Sequence, residues 1–360
     1  MTTRPPELSI IVPVLNDTDE LRGLLDCLSS QQPGDTFDVI ICTGAADEEL
    51  HTLANDWNTT GSFQVRLIST ARGRGRQMNA GAAAASGSFL LFLHADSRFD
   101  AEDALSSALV SYKKLTQGTV QPPAARFKLH FRHGGKEASL AYYYHEAKAR
   151  LNRGDCIRGD QGYLVSRTAF EQLGRFDTTL PFLEDVRMAA RVAEYGEWHL
   201  LQADISTSAR RFETEGFYER QIANVIIVNA VATGWSELLA ALPGLYSCGS
   251  GGRLQLYPLL SGVRSLINNH EQHWRKEFWN ATGAHVASNA WQLFFWLDVR
   301  HAFVRGYPVG GVATRWLDLY NRRLKPLFES RAAGQLATLL TRIWFQWMLN
   351  RTRNTFQENR

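Results

Sequence analysis

Ala71-Arg72-Gly73-Arg74-Gly75-Arg76-Gln77-Met78-Asn79-Ala80-Gly81 leads through the small residues Ala82 to Ala85 into Phe89-Leu90-Leu91-Phe92-Leu93-His94-Ala95-Asp96. Three arginines on a glycine-flexed loop suit a polyanion such as a pyrophosphate, because guanidinium groups match phosphate oxygens bidentately. The small residues suit a helix packed tightly on a sheet. The apolar run has the length of a buried strand and stops abruptly at His94 and Asp96. Ligands of open α/β sheets sit at the carboxyl ends of strands, so a carboxylate there, beside an anion loop, is placed to hold a divalent metal on a diphosphate. An arginine-rich loop is ordinarily a solvated surface, and an Asp after a strand is ordinarily a turn residue. Their succession within one helix-strand unit favours the functional reading.

Outward from this stretch, β and α patterns alternate. Leu8 to Pro13 reads as a buried first strand, and Asn16, Asp17 and Thr18 offer caps for a helix carrying Leu21, Leu24, Leu25 and Leu28. Phe37 to Cys42 and Phe63 to Ile68 read as further strands around a helix from Asp47 to Trp57. The pattern predicts an α/β fold with a doubly wound, mainly parallel sheet. Further on, it predicts a strand within Ala125–Phe131, a helix over Ala138–Leu151, a loop at Arg158–Gly162 before Tyr163–Ser166, and a helix after Pro181-Phe182-Leu183-Glu184-Asp185. From about Phe217, long helical patterns take over, and eight of the ten tryptophans lie there. Gly249-Ser250-Gly251-Gly252 is the best linker candidate.

At 360 residues, with 44% hydrophobic and 21% charged residues, the chain can bury a sizeable core and is expected to form two domains. A net charge of +3 makes no case for nucleic acid. The four cysteines have no close metal-ligand spacing and read as free thiols of a reducing cytosol. The N-terminus lacks a signal-peptide apolar region, and no stretch reaches the roughly 18 apolar residues that span a bilayer. The expected location is cytoplasmic.

Pro13-Val14-Leu15-Asn16-Asp17, Arg72 to Asn79, Leu93-His94-Ala95-Asp96, Gly159-Asp160-Gln161-Gly162 and Leu183-Glu184-Asp185-Val186 occur in this order. Together they resemble family 2 glycosyltransferases with the GT-A fold, and the arginine and His-Ala-Asp motifs resemble a bacterial subgroup of the arsenosugar-biosynthesis type. The resemblance covers about Leu8 to Tyr246, so residues 1–246 are expected to form a GT-A-like domain with trailing helices and 247–360 a helical region. It implies a metal-dependent inverting glycosyltransferase that moves a sugar from a nucleotide-diphosphate donor to an acceptor hydroxyl. Pro13 and Asp17 would line the nucleotide pocket, Arg72 and Arg76 would hold the pyrophosphate with Arg74 in a lesser role, and His94 would contact ribose or phosphate. Asp96 would carry Mg²⁺ or Mn²⁺, Asp185 would be the base and Glu184 its orienting partner, while Asp160 and Gln161 would meet sugar or acceptor. Where the family has an acid after the second strand, this chain has Cys42.

Two other readings compete. A nucleotidyltransferase would carry its phosphate loop directly after the first strand, where Pro13 to Asp17 stand instead. A non-catalytic nucleotide-binding or scaffold protein on the same fold draws on Cys42 and His94, whereas the acids Asp96 and Asp185 favour catalysis.

In the C-terminal region, His270 and His273 with Glu271 lack a further metal ligand and read as packing residues. Leu336, Leu340, Ile343, Trp344 and Trp347 share a helical face, and Arg331, Arg342, Arg351, Arg353 and Arg360 face a single acid, Glu358. This pattern suits peripheral contact with an anionic membrane, with a lipid-linked or apolar acceptor, and it suits ordinary packing on the catalytic domain at least as well. The helix around Ile222, Ile226 and Val231 shares that ambiguity.

Overall fold

The computed structural model describes residues 5–31, 36–118, 121, 123–135, 139–179, 182–249 and 251–358. Ala138, Pro181, Ser250 and Arg360, which the sequence reading includes in its segments, lie outside the described residues. The chain divides into two compact units, Met1–Ser208 and Ala209–Arg360.

In the first unit, β1 (Leu8–Val14), α1 (Thr18–Ser29), β2 (Phe37–Thr43), α2 (Glu48–Thr60), β3 (Gln64–Ser69), α3 (Arg74–Ala84) and β4 (Phe89–Phe92) follow the expected alternation. β5 (Arg98–Phe99), α4 (Ala104–Thr116), β6 (Pro123–Arg132), α5 (Leu140–Ala149), β7 (Tyr163–Ser166), α6 (Arg167–Gln172), α7 (Glu184–Tyr195) and β8 (Glu197–Ser208) complete it. The sheet order is β3-β2-β1-β4-β7-β6-β8-β5. β1 pairs in parallel with both β2 and β4, and β2 pairs in parallel with β3. Beyond β4 the sheet turns mixed: β7 runs antiparallel to both neighbours, β6 and β8 are parallel, and β5 is antiparallel to β8. Four of the seven strand pairings among the described residues are parallel, in keeping with a mainly parallel sheet, and three of those four lie among β1 to β4. The sequence reading did not anticipate β8, although its Trp198, Leu200, Leu201, Ile205 and Thr207 are strand formers.

Side-chain alternation along the strands feeds two cores. Ile10, Val12, Val39, Ile41 and Leu91 face α1, α2 and α4, where Leu21, Leu24, Leu25 and Leu28 are fully buried. Each such leucine contributes about 1.5–3 kcal/mol by leaving water. Ile11, Ile40, Cys42, Leu90 and Phe92 face α3, α6 and α7 through Met78, Ala82, Phe170, Met188 and Val192. With a helical layer on each face, the carboxyl ends of β1 to β4 are left open at one edge.

The second unit is helical: α8 (Arg210–Glu215), α9 (Phe217–Ala232), α10 (Ser236–Leu245), α11 (Leu256–Asn269), α12 (Gln272–Ser288), α13 (Trp291–Val304), α14 (Arg315–Leu319), a π turn over Tyr320–Leu324, α15 (Lys325–Phe328) and α16 (Arg331–Glu358). α9 and α10, which the sequence reading grouped with the first domain, belong to this unit. Ile222 and Ile226 are buried within it. The glycine stretch is not a linker. Gly249 N–H donates to the Arg253 carbonyl, Gly252 N–H to the Gly249 carbonyl, and Cys248 bridges Leu254, which makes a closed turn. Gly251 and Gly252 take φ values of +84° and +82°, so their composition serves tight reversal. His270 Nε2 bonds Glu237 Oε2 at 2.6 Å and stacks on Trp274, while His273 reaches Glu277. The two histidines thus have separate carboxylate partners.

Candidate functional site

The open edge gathers the motifs by topology. Pro13 lies at the end of β1 opposite Cys42 of β2, and Asp17 sits at the N-cap position of α1 without its side chain capping the helix. The segment after β3 carries Arg72 into α3, and the one after β4 carries His94 and Asp96. Gln77 locks α3 to the sheet. Its buried Nε2 donates to the carbonyls of Val14 at 3.0 Å and Cys42 at 2.7 Å, tying both strand ends to the arginine helix. Gln77 lies within the arginine motif, and its sequence position alone assigns it no role. A glutamine beside a small-residue run was the available signal.

Cys42 departs from the role its position suggested. A Cβ built at Gly81 would come within 2.7 Å of Cys42 Sγ and 2.5 Å of Ile11 Cγ2, so the thiol faces α3 inside the core. Burial pushes it up to about 12. It packs the helix and does not line the open edge.

α3 begins against the electrostatic rule for helices. Backbone N–H groups at a helix N-terminus carry partial positive charge and favour acids, yet this first turn has no acid. Arg72, Arg74 and Arg76 all stand there and are exposed. Arg74 turns to Glu184, with Nη1 3.4 Å from Oε1. Among the described residues, Arg72 and Arg76 have no acidic partner. Arg72 packs its stem on Gly44, where a built Cβ would lie 3.0 Å from Arg72 Cγ. Accumulated positive charge of this kind is unfavourable by itself and is relieved by an anion.

Glu184 and Asp185 open α7, where the helix dipole favours them. Leu183 before them has φ +67°, a left-handed conformation that costs a branched residue about 1–3 kcal/mol. Both acids that follow are buried, at 1% and 8% exposure. Burial raises the Glu184 carboxyl above its usual range, against the pull of Arg74. Asp185 Oδ2 accepts from Gly159 N–H at 2.9 Å. A Cβ at Gly159 would meet His94 Nε2 at 3.0 Å and Asp185 Cβ at 3.3 Å, so β4, the 159 turn and α7 converge at one point. A cavity with room for about one water opens there, lined in part by His94, Gly159, Glu184 and Asp185. Burial, reinforced by Arg74, pulls the His94 imidazole down to about 4 and so keeps it neutral near pH 7.

Asp160 and Gln161 sit in a single 3₁₀ turn, Gly159–Gln161. Gln161 Nε2 donates to the Cys156 carbonyl at 2.9 Å. Asp160 Oδ1 and Gln161 Oε1 are buried without a donor among the described residues. Burial first, then repulsion from Asp185, pushes the Asp160 carboxyl up to about 7. Orphaned buried acceptors are rare and point to a ligand donor.

Asp96 is oriented by the strand the sequence reading missed. Its Oδ2 accepts from Thr207 Oγ1 at 2.9 Å and Ser208 N–H at 3.1 Å, and its backbone carbonyl accepts from Arg132 at 2.8 Å. No described residue donates to Oδ1. A hard divalent cation takes one or two carboxylates and completes its shell from phosphate and water, so a carboxylate held from one side fits such an ion. Among the described residues, no three His, Cys, Asp or Glu side chains cluster for a metal.

Compared with known proteins, the chain has no match among curated sequences. The solved mannosyltransferase PcManGT from Pyrobaculum calidifontis, in complex with GDP-Man and Mn²⁺, is 16% identical at TM-score 0.47, covering 95% of this chain and 88% of that one. Residues 1–349 of TarS from S. aureus, in complex with UDP, are 13% identical at TM-score 0.47, covering 88% and 91%. At these values neither donor transfers to this chain. Residues 9–174 match the family described as Glycosyl transferase family 2, and the arginine helix, the β4 end and the 159 turn all fall within that span. Residues 9–174 of the first unit are therefore similar to family 2 glycosyltransferases.

Proposed function

We propose that the first unit transfers a sugar from a nucleotide-diphosphate donor to an acceptor hydroxyl, with inversion at the anomeric carbon. The observation that carries this reading is the acid-free, three-arginine start of α3 at the same open edge as Asp96 and Asp185. Arg72 and Arg76 take the diphosphate, while Pro13 and Asp17 border the nucleotide. Neutral His94 accepts or donates a single hydrogen bond to ribose or phosphate. Asp160 Oδ1 and Gln161 Oε1 receive sugar or acceptor hydroxyls. Asp185, held through Oδ2 by Gly159, removes the acceptor proton through Oδ1, and Glu184 fixes the α7 start against Arg74. Mg²⁺ or Mn²⁺ at Asp96, when bound, supplies charge neutralisation for the departing diphosphate.

Within this class, the Arg72–Asn79 and His94–Asp96 motifs favour the arsenosugar-type subgroup, a likeness that names no substrate. In this reading the protein works in the cytoplasm at the inner face of the membrane, on a lipid-linked or apolar acceptor. The test is calorimetry of nucleoside diphosphates with and without Mn²⁺. Wild type is expected to bind at least one of them more tightly with the ion, and Asp96→Ala to lose that metal-dependent gain by about tenfold or more. Equal affinity and equal metal dependence in the mutant removes Asp96 from the site.

A further inference from the structure

α16 presents two opposite faces. Phe345, Met348 and Leu349 are buried, the Phe345 ring meets Trp279 at 5.8 Å, Met348 Sδ accepts from Tyr218 Oη, and Thr338 Oγ1 donates to the Trp279 carbonyl at 3.2 Å. This face packs the helix onto the second unit. Leu336, Leu339, Leu340, Ile343 and Trp347 are each 50–58% exposed. At about 100° per residue these five fall within an arc of about 100°, on the side of the helix away from Phe345. Trp344, which the sequence reading placed in the same stripe, lies at its margin and is partly covered.

Exposed arginines flank the stripe. The Arg351 guanidinium lies 5.2 Å from the centre of the Trp347 ring, Arg342 lies 5.8 Å from that of Trp279, and Arg331 and Arg353 are exposed on the same helix. The only acid in α16 is Glu358, near the chain end. No helix among the described residues is long and apolar enough to cross a membrane, and the inner face of α16 is already occupied by protein.

We infer that the outer face of α16 docks on an anionic membrane surface, with Leu336, Leu339, Leu340, Ile343 and Trp347 entering the headgroup–acyl boundary and the arginines meeting lipid phosphates. The inference rests on the peripheral location proposed above and is independent of the sugar chemistry. Charge selects the occupant. A second copy joined through the same stripe about a two-fold axis would bring like-charged arginines together, whereas an anionic surface complements them. A helix with an apolar stripe between cationic flanks lies in the plane of the interface.

The experiment is co-sedimentation of the full chain with phosphatidylcholine vesicles, with and without one-third phosphatidylglycerol, at low and high salt. Binding is expected only with the anionic lipid, weakening at high salt. L336S/L340S/I343S/W347S is expected to reduce it by about tenfold or more, and R342Q/R351Q/R353Q to reduce it while leaving the apolar stripe intact. Absence of binding by the full chain, equal binding to neutral vesicles, or unchanged binding in both variants overturns the inference. So does sedimentation showing a dimer that the serine variant dissolves, since a second copy would then cover the stripe. Nucleotide affinity measured on the same variants separates the two readings. Vesicle binding without any nucleotide binding sinks the proposed transfer reaction and leaves the docking face standing.

Discussion

In residues 1–208 the exposed large hydrophobics are Leu15, Val110 and Tyr195, whereas residues 209–360 expose sixteen among the described residues. The first unit departs from the usual partition in the other direction, by burying polar groups: Gln77, Arg126, Gln161, Glu184 and Asp185. Exposed apolar residues scattered singly are ordinary, and a contiguous run is not. α13 repeats the pattern of α16, with Leu293, Trp296, Leu297 and Val304 exposed while Trp291, Phe295 and Val299 are buried. The comparison teaches that the two units place their polar and apolar exceptions in opposite ways. One holds polar groups out of water, as the proposed transfer requires, and the other holds apolar groups in water, as the proposed docking requires.

The strongest way to break this comparison is at Asp185. Asp185→Asn is expected to cut transfer by about 10²–10⁴-fold while leaving nucleotide affinity and unfolding nearly unchanged. Transfer within a few-fold of wild type would take the base role from this residue and with it the reason for the acid's burial.

Within α16 the two faces should differ sharply. Met348, at 1% exposure, is expected to cost about 2–5 kcal/mol when cut to alanine. Urea unfolding followed by tryptophan fluorescence suits the measurement, because eight of the ten tryptophans lie in the second unit.

Gln77→Leu sharpens the account of the first unit. It strands the Val14 and Cys42 carbonyls, at a cost of about 1–3 kcal/mol readable by urea unfolding monitored by circular dichroism. A neutral result would mean that the strand ends do not depend on the amide. The smallest effect is expected from Trp347→Ser, whose stability should stay within about 0.5 kcal/mol of wild type. A loss comparable with that of Met348→Ala would show the outer ring to be part of the packing and erase the contrast between the faces.

Much of the first unit was legible because its signals are local. Apolar runs bounded by turn residues marked β1, β2 and β4, and the succession of the arginine segment and Asp96 within one helix-strand unit pointed to one strand edge. β8 was missed because its apolar residues are interrupted by Gln202 and Asp204, and the acids of α7 carry no sequence mark of burial. The outward face of α16 was an open choice in the sequence, since an apolar helical stripe suits packing on the catalytic domain as well as a surface.

By itself, then, the sequence determined periodicity, element type and the chemical identities available at each strand end, all properties of near neighbours along the chain. Tertiary structure decided which way each side chain faces. It turned Cys42 into the core beneath α3, brought Thr207 and Ser208 from β8 to orient Asp96, and joined Gly159 to Asp185. It also used Phe345, Met348 and Leu349 to hold α16, leaving Leu336, Ile343 and Trp347 outside. The physical reason is that burial and hydrogen-bond partnership depend on residues far away in sequence, and a one-dimensional pattern records which groups can pair but not which ones meet.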